Sequence, residues 1–182
     1  MSTSSSDFEN RPEPAALPYE FFSPVHLRWA DIDALQHVNN AVYLSYFEQA
    51  RIDYFRALGC WDWNKVGMIL ARTEVDYLRP LLIRDRAGVL TRTVHLGSKS
   101  FTMEYLIVRK ASDWSADLRP CERNTPGMVP EELMEQGPLQ SITKARSVLV
   151  AFDFESNQSV PVPEAYRDAI LRKEARPIAP AQ

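Results

Sequence analysis

The sequence predicts an α+β fold in which an antiparallel sheet wraps around a single buried helix. One long run repeats apolar residues at steps of three and four, and four strand-like runs follow it. No helical run separates those later strands, which excludes a parallel doubly wound sheet, where each crossover needs a helix.

Taken in chain order, residues 1–24 are rich in Ser, Pro and Glu and read as an extended N-terminal arm. Val25, Leu27 and Trp29 then alternate with His26, Arg28 and Ala30, the period-two pattern of a strand. A polar loop follows at 31–41. Tyr43, Phe47, Ala50, Tyr54 and Leu58 form one helical face, and Tyr46, Ile52 and Phe55 widen it, so the helix is predicted to be largely buried. Asn39 or Asn40 is suited to cap its start, and Gly59 to end it. Strands are predicted over 67–78, 89–96, 101–107 and 142–154, the last with Val148, Val150, Phe152 and Phe154 on one face. Pro163 opens a short helix over 164–172. Residues 112–140 hold four prolines and read as an insertion, and 175–182 as a tail. The body at 25–174 is then a single domain, in keeping with typical domain sizes of about 100–150 residues.

A hydrophobic fraction of 45% with 25% charged residues is ordinary for a globular protein. The net charge of −3 argues against a nucleic-acid partner. No run approaches the roughly 18 apolar residues of a membrane span, and the N-terminus lacks the basic and apolar regions of a secretory signal. Cys60 and Cys121 form no metal spacing and no disulfide framework, so a cytoplasmic, reduced setting is expected.

The chemistry concentrates in residues 31–43, where two carboxylates, one of three histidines and two adjacent asparagines precede the helix. A carboxylate in a partly dry site serves as nucleophile or general base, and Asp33 is favoured over Asp31 for that role. The structural alternative for each is a turn-forming or solvated Asp. His37 acts as base, donor or loop-shaping residue. No second histidine stands at ligand spacing, so no metal is expected. A helix N-terminus near Asn39 and Asn40 offers unpaired N–H groups and a partial positive charge, which polarise a carbonyl. Glu48 and Arg51, three apart on the helix, read as a surface or interface ion pair. Gly97-Ser98-Lys99-Ser100 reads as a hairpin turn or, through its N–H groups, Lys99 and two hydroxyls, as a phosphate holder. Arg79, Arg84 and Arg86 add positive charge in the preceding segment.

The run Asp33-x-x-x-His37-Val38-Asn39-Asn40-x-x-Tyr43, followed by Tyr46-Phe47-Glu48-x-Ala50-Arg51, resembles the hotdog-fold acyl-CoA thioesterases, in particular the 4-hydroxybenzoyl-CoA thioesterase-like branch. Val75-Asp76-Tyr77-Leu78-Arg79-Pro80-Leu81 is similar to the branch's second strand, and Gly97 to Ser100 to its strand turn near the nucleotide. The HVNN element also resembles plant acyl-ACP thioesterases, but those carry an asparagine two residues before the histidine, where this chain has Leu35. The resemblance implies a five- to six-stranded antiparallel sheet around a long central helix. It also implies a homodimer or dimer of dimers with sites at the subunit interface, and CoA only as part of the substrate. It places Asp33 at the catalytic carboxylate and the backbone N–H of Asn40 at the carbonyl. Tyr43 falls on the acyl site, with His37 and Asn39 beside it, and Lys99 and Ser100 lie toward the pantetheine or nucleotide.

Hydrolysis of an acyl-CoA thioester is the leading functional expectation. The alternatives are a non-catalytic acyl-CoA-binding or sensor protein and an enoyl-thioester hydratase. The hydratases resemble a pattern with Asp and His five apart and Asn-Pro between them. Here Asp33 and His37 are four apart with no proline.

Overall fold

The computed structural model describes residues 19–60, 62, 64–110, 127–128 and 139–174. In order they form β1 (Phe21–Val25), a 3₁₀ turn (Trp29–Asp31), α1 (Val42–Leu58), β2 (Gly67–Tyr77), β3 (Ala87–Leu96), β4 (Ser100–Lys110), β5 (Gly127–Met128), β6 (Leu139–Asp153), β7 (Gln158–Ser159) and α2 (Glu164–Lys173). All strand pairs are antiparallel, in the order β2-β6-β4-β3-β1-β5, with β7 on β6. The five long strands match the expected sheet, and the two-residue β5 and β7 bring the total to seven.

One strand is displaced from its expected place. The alternation at 25–30 is not extended: β1 lies at Phe21–Val25, inside what the sequence reads as the arm, and Trp29 is 81% exposed in the 3₁₀ turn. The cause is local. The carboxylate of Asp31 accepts the backbone N–H of Arg28 at 2.9 Å, and the Asp31 N–H donates to the Arg28 carbonyl at 2.9 Å, which curls the chain before a strand can run on.

The helix follows its periodicity. Tyr43, Tyr46, Phe47, Ala50, Tyr54 and Phe55 are buried against the sheet, and Gly59 ends α1 at φ 70°, a conformation glycine adopts without strain. Facing it, Phe101, Met103, Tyr105 and Ile107 of β4 are buried, as are Ile142, Ala145, Leu149 and Ala151 of β6. Each large side chain so covered contributes about 1.5–3 kcal/mol from apolar burial. Val148, Val150 and Phe152 share the opposite face of β6 and stay partly exposed. Phe154 lies past the strand in a turn and is 64% exposed. The expected insertion at 112–140 lies outside the described residues apart from its few strand positions, as do the arm up to residue 18, Cys121 and the tail at 175–182.

Three register shifts interrupt the ladders, at Leu70/Arg72, Thr93/His95 and Ile107/Val108. Along its other edge β3 is covered by β1 only as far as Thr91, and beyond it the Thr93 N–H goes to a side chain: Glu174, at the end of α2, accepts it at 2.7 Å and accepts the Tyr54 hydroxyl at 2.7 Å. Burial raises the Glu174 carboxyl above its ordinary 4.5, although these two donors pull it down. Folding thus favours the protonated acid. That contribution is fully present below the unfolded-state pKa and is lost as pH rises through the raised folded-state value. Glu174→Gln keeps an acceptor oxygen and removes the charge. It is expected to melt at or above the wild-type temperature at neutral pH and to lose this part of the pH dependence. Superimposable melting-versus-pH curves for the two proteins would count against the assignment.

Candidate active site

The loop between the 3₁₀ turn and α1 folds as a tight hairpin. The Asp33 N–H donates to the His37 carbonyl at 2.9 Å, the Gln36 N–H to the Asp33 carbonyl at 3.0 Å, and Ile32 bridges Val38. Gln36 takes φ 64° at the turn. Val38 and Asn39 then fasten the returning arm: the Val38 N–H reaches the Leu81 carbonyl at 2.9 Å and the Asn39 N–H the Asp31 carbonyl at 2.8 Å.

The two carboxylates of this loop do different things. Asp31 is 1% exposed and fully engaged: it accepts the Arg28 guanidinium at 2.8 Å, the Arg28 N–H and the Tyr46 hydroxyl at 2.8 Å. Burial works to raise its pKa. The hydrogen bonds from Arg28 and Tyr46 and the Arg28 charge outweigh it, and the carboxyl lies below its ordinary value. Asp33 is half-buried. One of its oxygens accepts the Leu35 N–H at 2.8 Å, an Asx turn that fixes the carboxylate, and the other accepts no hydrogen bond from a described residue.

The helix starts one step later than an asparagine cap would place it. Ala41 holds the cap position in helical conformation with no side-chain cap bond. Asn39 caps the turn just before it, its Oδ1 accepting the Ala41 N–H at 2.9 Å and its carbonyl the Val42 N–H at 2.9 Å. Asn40 donates no backbone hydrogen bond among the described residues, and its carbonyl accepts the Tyr77 hydroxyl at 2.9 Å. The orphan N–H of Asn40 therefore stands at the positive end of α1.

A cavity of about 380 Å³ gathers Asp33, His37, Asn39, Asn40 and Tyr43. These are five of the seven residues that the resemblance assigns to the site. Tyr77, Leu78, Arg79 and Pro80 form the opposite wall. That wall was legible only as a motif, because its contact with the loop crosses 37 positions, from Asn40 to Tyr77. Tyr43 is 2% exposed, with its ring edge-on to Tyr77 at 5.2 Å, and burial raises its hydroxyl pKa, partly offset by Leu81 and Thr143. Arg79 lines the cavity with its guanidinium on the Ser141 carbonyl at 2.8 Å.

Lys99 and Ser100 do not line this cavity. Gly97 to Ser100 is a hairpin turn, closed by the Gly97 N–H on the Ser100 carbonyl at 2.7 Å, and the Lys99 ammonium donates to the Ser159 carbonyl at 2.9 Å. Glu48 and Arg51 form no ion pair: Glu48 is exposed, and the buried Arg51 lies over the Tyr105 ring at 5.9 Å. A larger cavity, about 430 Å³, lies on the outer face of the sheet between Tyr19, Arg92, Glu104, Arg146 and Glu74. Its charges alternate from strand to strand and Arg92 pairs with Glu104, so they compensate one another. Among the described residues no group of three His, Cys, Asp or Glu side chains could hold a metal, and no helix is long and apolar enough to cross a membrane.

A half-buried carboxylate, one oxygen of which accepts no hydrogen bond from a described residue, lines the same cavity as a helix N-terminus, in an antiparallel sheet packed on one long helix. The thioesterase-like superfamily model matches residues 27–170 of this chain. The chain belongs to that superfamily. A thioesterase from Thermus thermophilus, solved with coenzyme A and zinc, is 36% identical, with a TM-score of 0.64 over 88% of this chain and 98% of the other. The uncharacterized protein YsmA of Bacillus subtilis is 35% identical over 89 residues, 48% of this chain and 60% of that protein. The long-chain acyl-CoA thioesterase FadM of Escherichia coli is 27% identical over 86 residues, 46% of this chain and 65% of that protein. The chain thus spans less than two thirds of the length of these curated relatives. The hotdog fold expected from the sequence is the fold observed.

Removing the Tyr46 hydroxyl (Tyr46→Phe) withdraws one donor from a buried carboxylate and is expected to cost about 1–3 kcal/mol in urea denaturation. Because the folded-state pKa of Asp31 is lowered, its contribution is present above the unfolded-state value and is lost as pH falls through the lowered one. Asp31→Asn is therefore expected to be destabilised at neutral pH and to show a flatter acid limb than wild type. An unchanged acid limb would place the titrating group elsewhere.

Proposed function

We propose that this protein hydrolyses acyl-CoA thioesters to a free carboxylic acid and CoA. The observation that carries this reading is the pairing, within one cavity, of the Asp33 carboxylate with the unengaged N–H of Asn40 at the start of α1. In this reading the thioester oxygen lies against the Asn40 N–H and the positive end of the helix, where the charge that develops on attack is stabilised. Asp33 either takes a proton from a water attacking the carbonyl carbon or attacks that carbon itself. In the first route a tetrahedral intermediate collapses to acid and CoA thiol. In the second, CoA leaves first and water cleaves the resulting acyl-aspartate anhydride. His37 shapes the loop through its carbonyl, Asn39 sets the helix start, and Tyr43 bounds the acyl group. The CoA held by the Thermus thermophilus relative supports CoA as the thiol half.

The working unit in this reading is a homodimer, or a dimer of such dimers. Strand β2 ends the sheet, and its edge away from β6 pairs with no described strand. Leu70 and Tyr77 of that strand, opposite the buried Leu149 and Thr143 of β6, are each 44% exposed. A second copy pairing along β2 would cover them. It would also allow Lys99 and Ser100 to serve the nucleotide of a site they do not reach within their own chain.

Asp33→Asn is expected to lower thiol release by about 10²–10⁴ on the best substrate of an acyl-CoA panel, with the fold kept. Undiminished turnover would remove Asp33 from the mechanism. In oxygen-labelled water, single-turnover label found in the aspartate points to the anhydride route; where the label is found only in the product acid, borohydride trapping of an acyl-aspartate separates an anhydride opened at the acyl carbon from the general-base route. Tight acyl-CoA binding with no thiol release across the panel would favour the binding-protein reading instead. Sedimentation is expected to give at least twice the 20.8 kDa chain mass, and a monomer at assay concentration would exclude a shared site.

A further inference from the structure

The wall of the cavity opposite the loop carries a charge that the proposed hydrolysis leaves unused. Arg79 is exposed and lines the cavity, and its guanidinium donates to the Ser141 carbonyl at 2.8 Å. Among the described residues no carboxylate pairs with it. A guanidinium holds five N–H donors in a planar fork that matches phosphate oxygens, so most of these donors remain for a ligand. Apart from His37, Arg79 is the one basic side chain among the described residues that line this cavity.

The backbone around Arg79 is held on several sides. The Arg79 N–H donates to the Ile142 carbonyl at 3.1 Å. Leu81 is buried, and its carbonyl accepts the Val38 N–H at 2.9 Å, which ties this wall to the loop of Asp33. Arg109 of β4 donates to the Pro80 carbonyl at 3.3 Å and to the Asp85 carboxylate at 2.7 Å, and Asp85 also accepts the Leu82 N–H at 2.9 Å. Asp85 is the one carboxylate in residues 79–86, and Arg109 offsets its charge, while Arg79, Arg84 and Arg86 are exposed. On a chain of net charge −3, this segment carries an excess of positive charge.

The lining residues divide into a buried end and an open rim. Val38 and Tyr43 are each 2% exposed, whereas Leu35, Leu78, Arg79 and Pro80 are exposed. With the acyl group against Tyr43, the thiol half leaves past that rim. The pantetheine arm of CoA spans up to about 16 Å from sulfur to the first phosphorus, at about 1.2 Å per bond. That is more than a cavity of about 380 Å³ encloses, so the phosphates lie at or outside the rim. Arg79 stands about 7 Å along the chain from Tyr77, which touches Asn40, and so within the span of such an arm. Resting on the thioesterase reading, we propose that Arg79 receives the pyrophosphate of the CoA half of the substrate. The same chain then supplies Asp33 and the phosphate contact, whereas Lys99 and Ser100 would reach the nucleotide only from a second copy.

The test compares thiol release from the best acyl-CoA of the panel with release from S-acyl pantetheine carrying the same acyl group, at low ionic strength. Wild type is expected to favour the CoA thioester at least tenfold in kcat/KM, mainly through KM, and to lose much of that preference as salt is raised. Arg79→Gln should bring the ratio of the two substrates to within about twofold of one, and Arg79→Lys, which keeps the charge without the fork, should fall between. Equal use of the two thioesters by wild type overturns the proposal without any variant, so misfolding of Arg79→Gln does not shield it. So does a ratio that survives in a folded Arg79→Gln protein. An equal fall in kcat on both thioesters would place the guanidinium at the reacting carbonyl and also overturn it. A preference of wild type for succinyl-CoA over butyryl-CoA that Arg79→Gln removes, with the pantetheine ratio kept, would assign Arg79 to an acyl carboxylate instead and overturn it too. Hydrolysis of both thioesters without preference leaves the thioesterase reading standing and removes only this inference. Absence of thiol release from every thioester removes both.

Discussion

The position of everything near the site depends on the buried Asp31 carboxylate. A carboxylate with 1% exposure stays charged only if its oxygens are saturated by donors. Here the donors come from two separate segments: Arg28, just after β1, supplies a backbone N–H and a guanidinium, and Tyr46, one turn into α1, supplies a hydroxyl. The Asp31 carbonyl meanwhile accepts the Asn39 N–H. One residue therefore fixes the exit of the first strand, both ends of the loop and the rotation of the helix about its axis. Asp33, two residues further on, is freed for another use because Asp31 already does the structural work.

The sheet divides its duties by face, as period-two alternation requires. One side holds the aromatic and aliphatic residues beneath α1. The other carries the alternating charges of Arg92, Glu104, Arg146 and Glu74, which compensate across neighbouring strands. The ends of ladders matter because each leaves backbone groups that something must satisfy. Where β1 stops covering β3, the Thr93 N–H is met by Glu174, so the end of that ladder becomes the docking point for the end of α2.

The helix and the long strands were legible because their signals are local: a 3.6-residue period, a glycine stop, alternation over eight or more positions. The strand expected at 25–30 failed for an instructive reason. Val25, Leu27 and Trp29 alternate as a strand would, but a side chain two residues past Trp29 closes a turn on Arg28, and alternation carries no record of that competition. Of the site, Asp33, His37, Asn39, Asn40 and Tyr43 were legible as neighbours in sequence that share one cavity. The Tyr77–Pro80 wall was not, since strand pairing across the whole domain brings it there. The Glu48–Arg51 spacing permitted an ion pair. The helix instead turns Arg51 inward and leaves Glu48 outside, a choice set by rotation about the helix axis rather than by spacing.

That rotation also explains why a single chain looks unfinished on one side. α1 packs over β1 and β3, and its side chains reach β4 and β6, but the helix-facing residues of β2 are only partly covered. Leu70 and Tyr77 remain 44% exposed beside an unpaired strand edge. Exposed apolar surface next to open backbone donors and acceptors favours association, and natural sheets blunt such edges with charge, proline or a covering element. Here the charges of β2 lie on the outer face, Glu74 and Asp76 opposite Arg146 and Lys144 and Arg72 on Glu74, and the helix-facing row of Met68, Leu70, Val75 and Tyr77 is apolar except for Thr73. In the proposed dimer, a surface of that kind, directly beside Asn40 and Tyr43, is where a second subunit would both stabilise the fold and close the cavity, so that cavity and assembly would draw on the same strand.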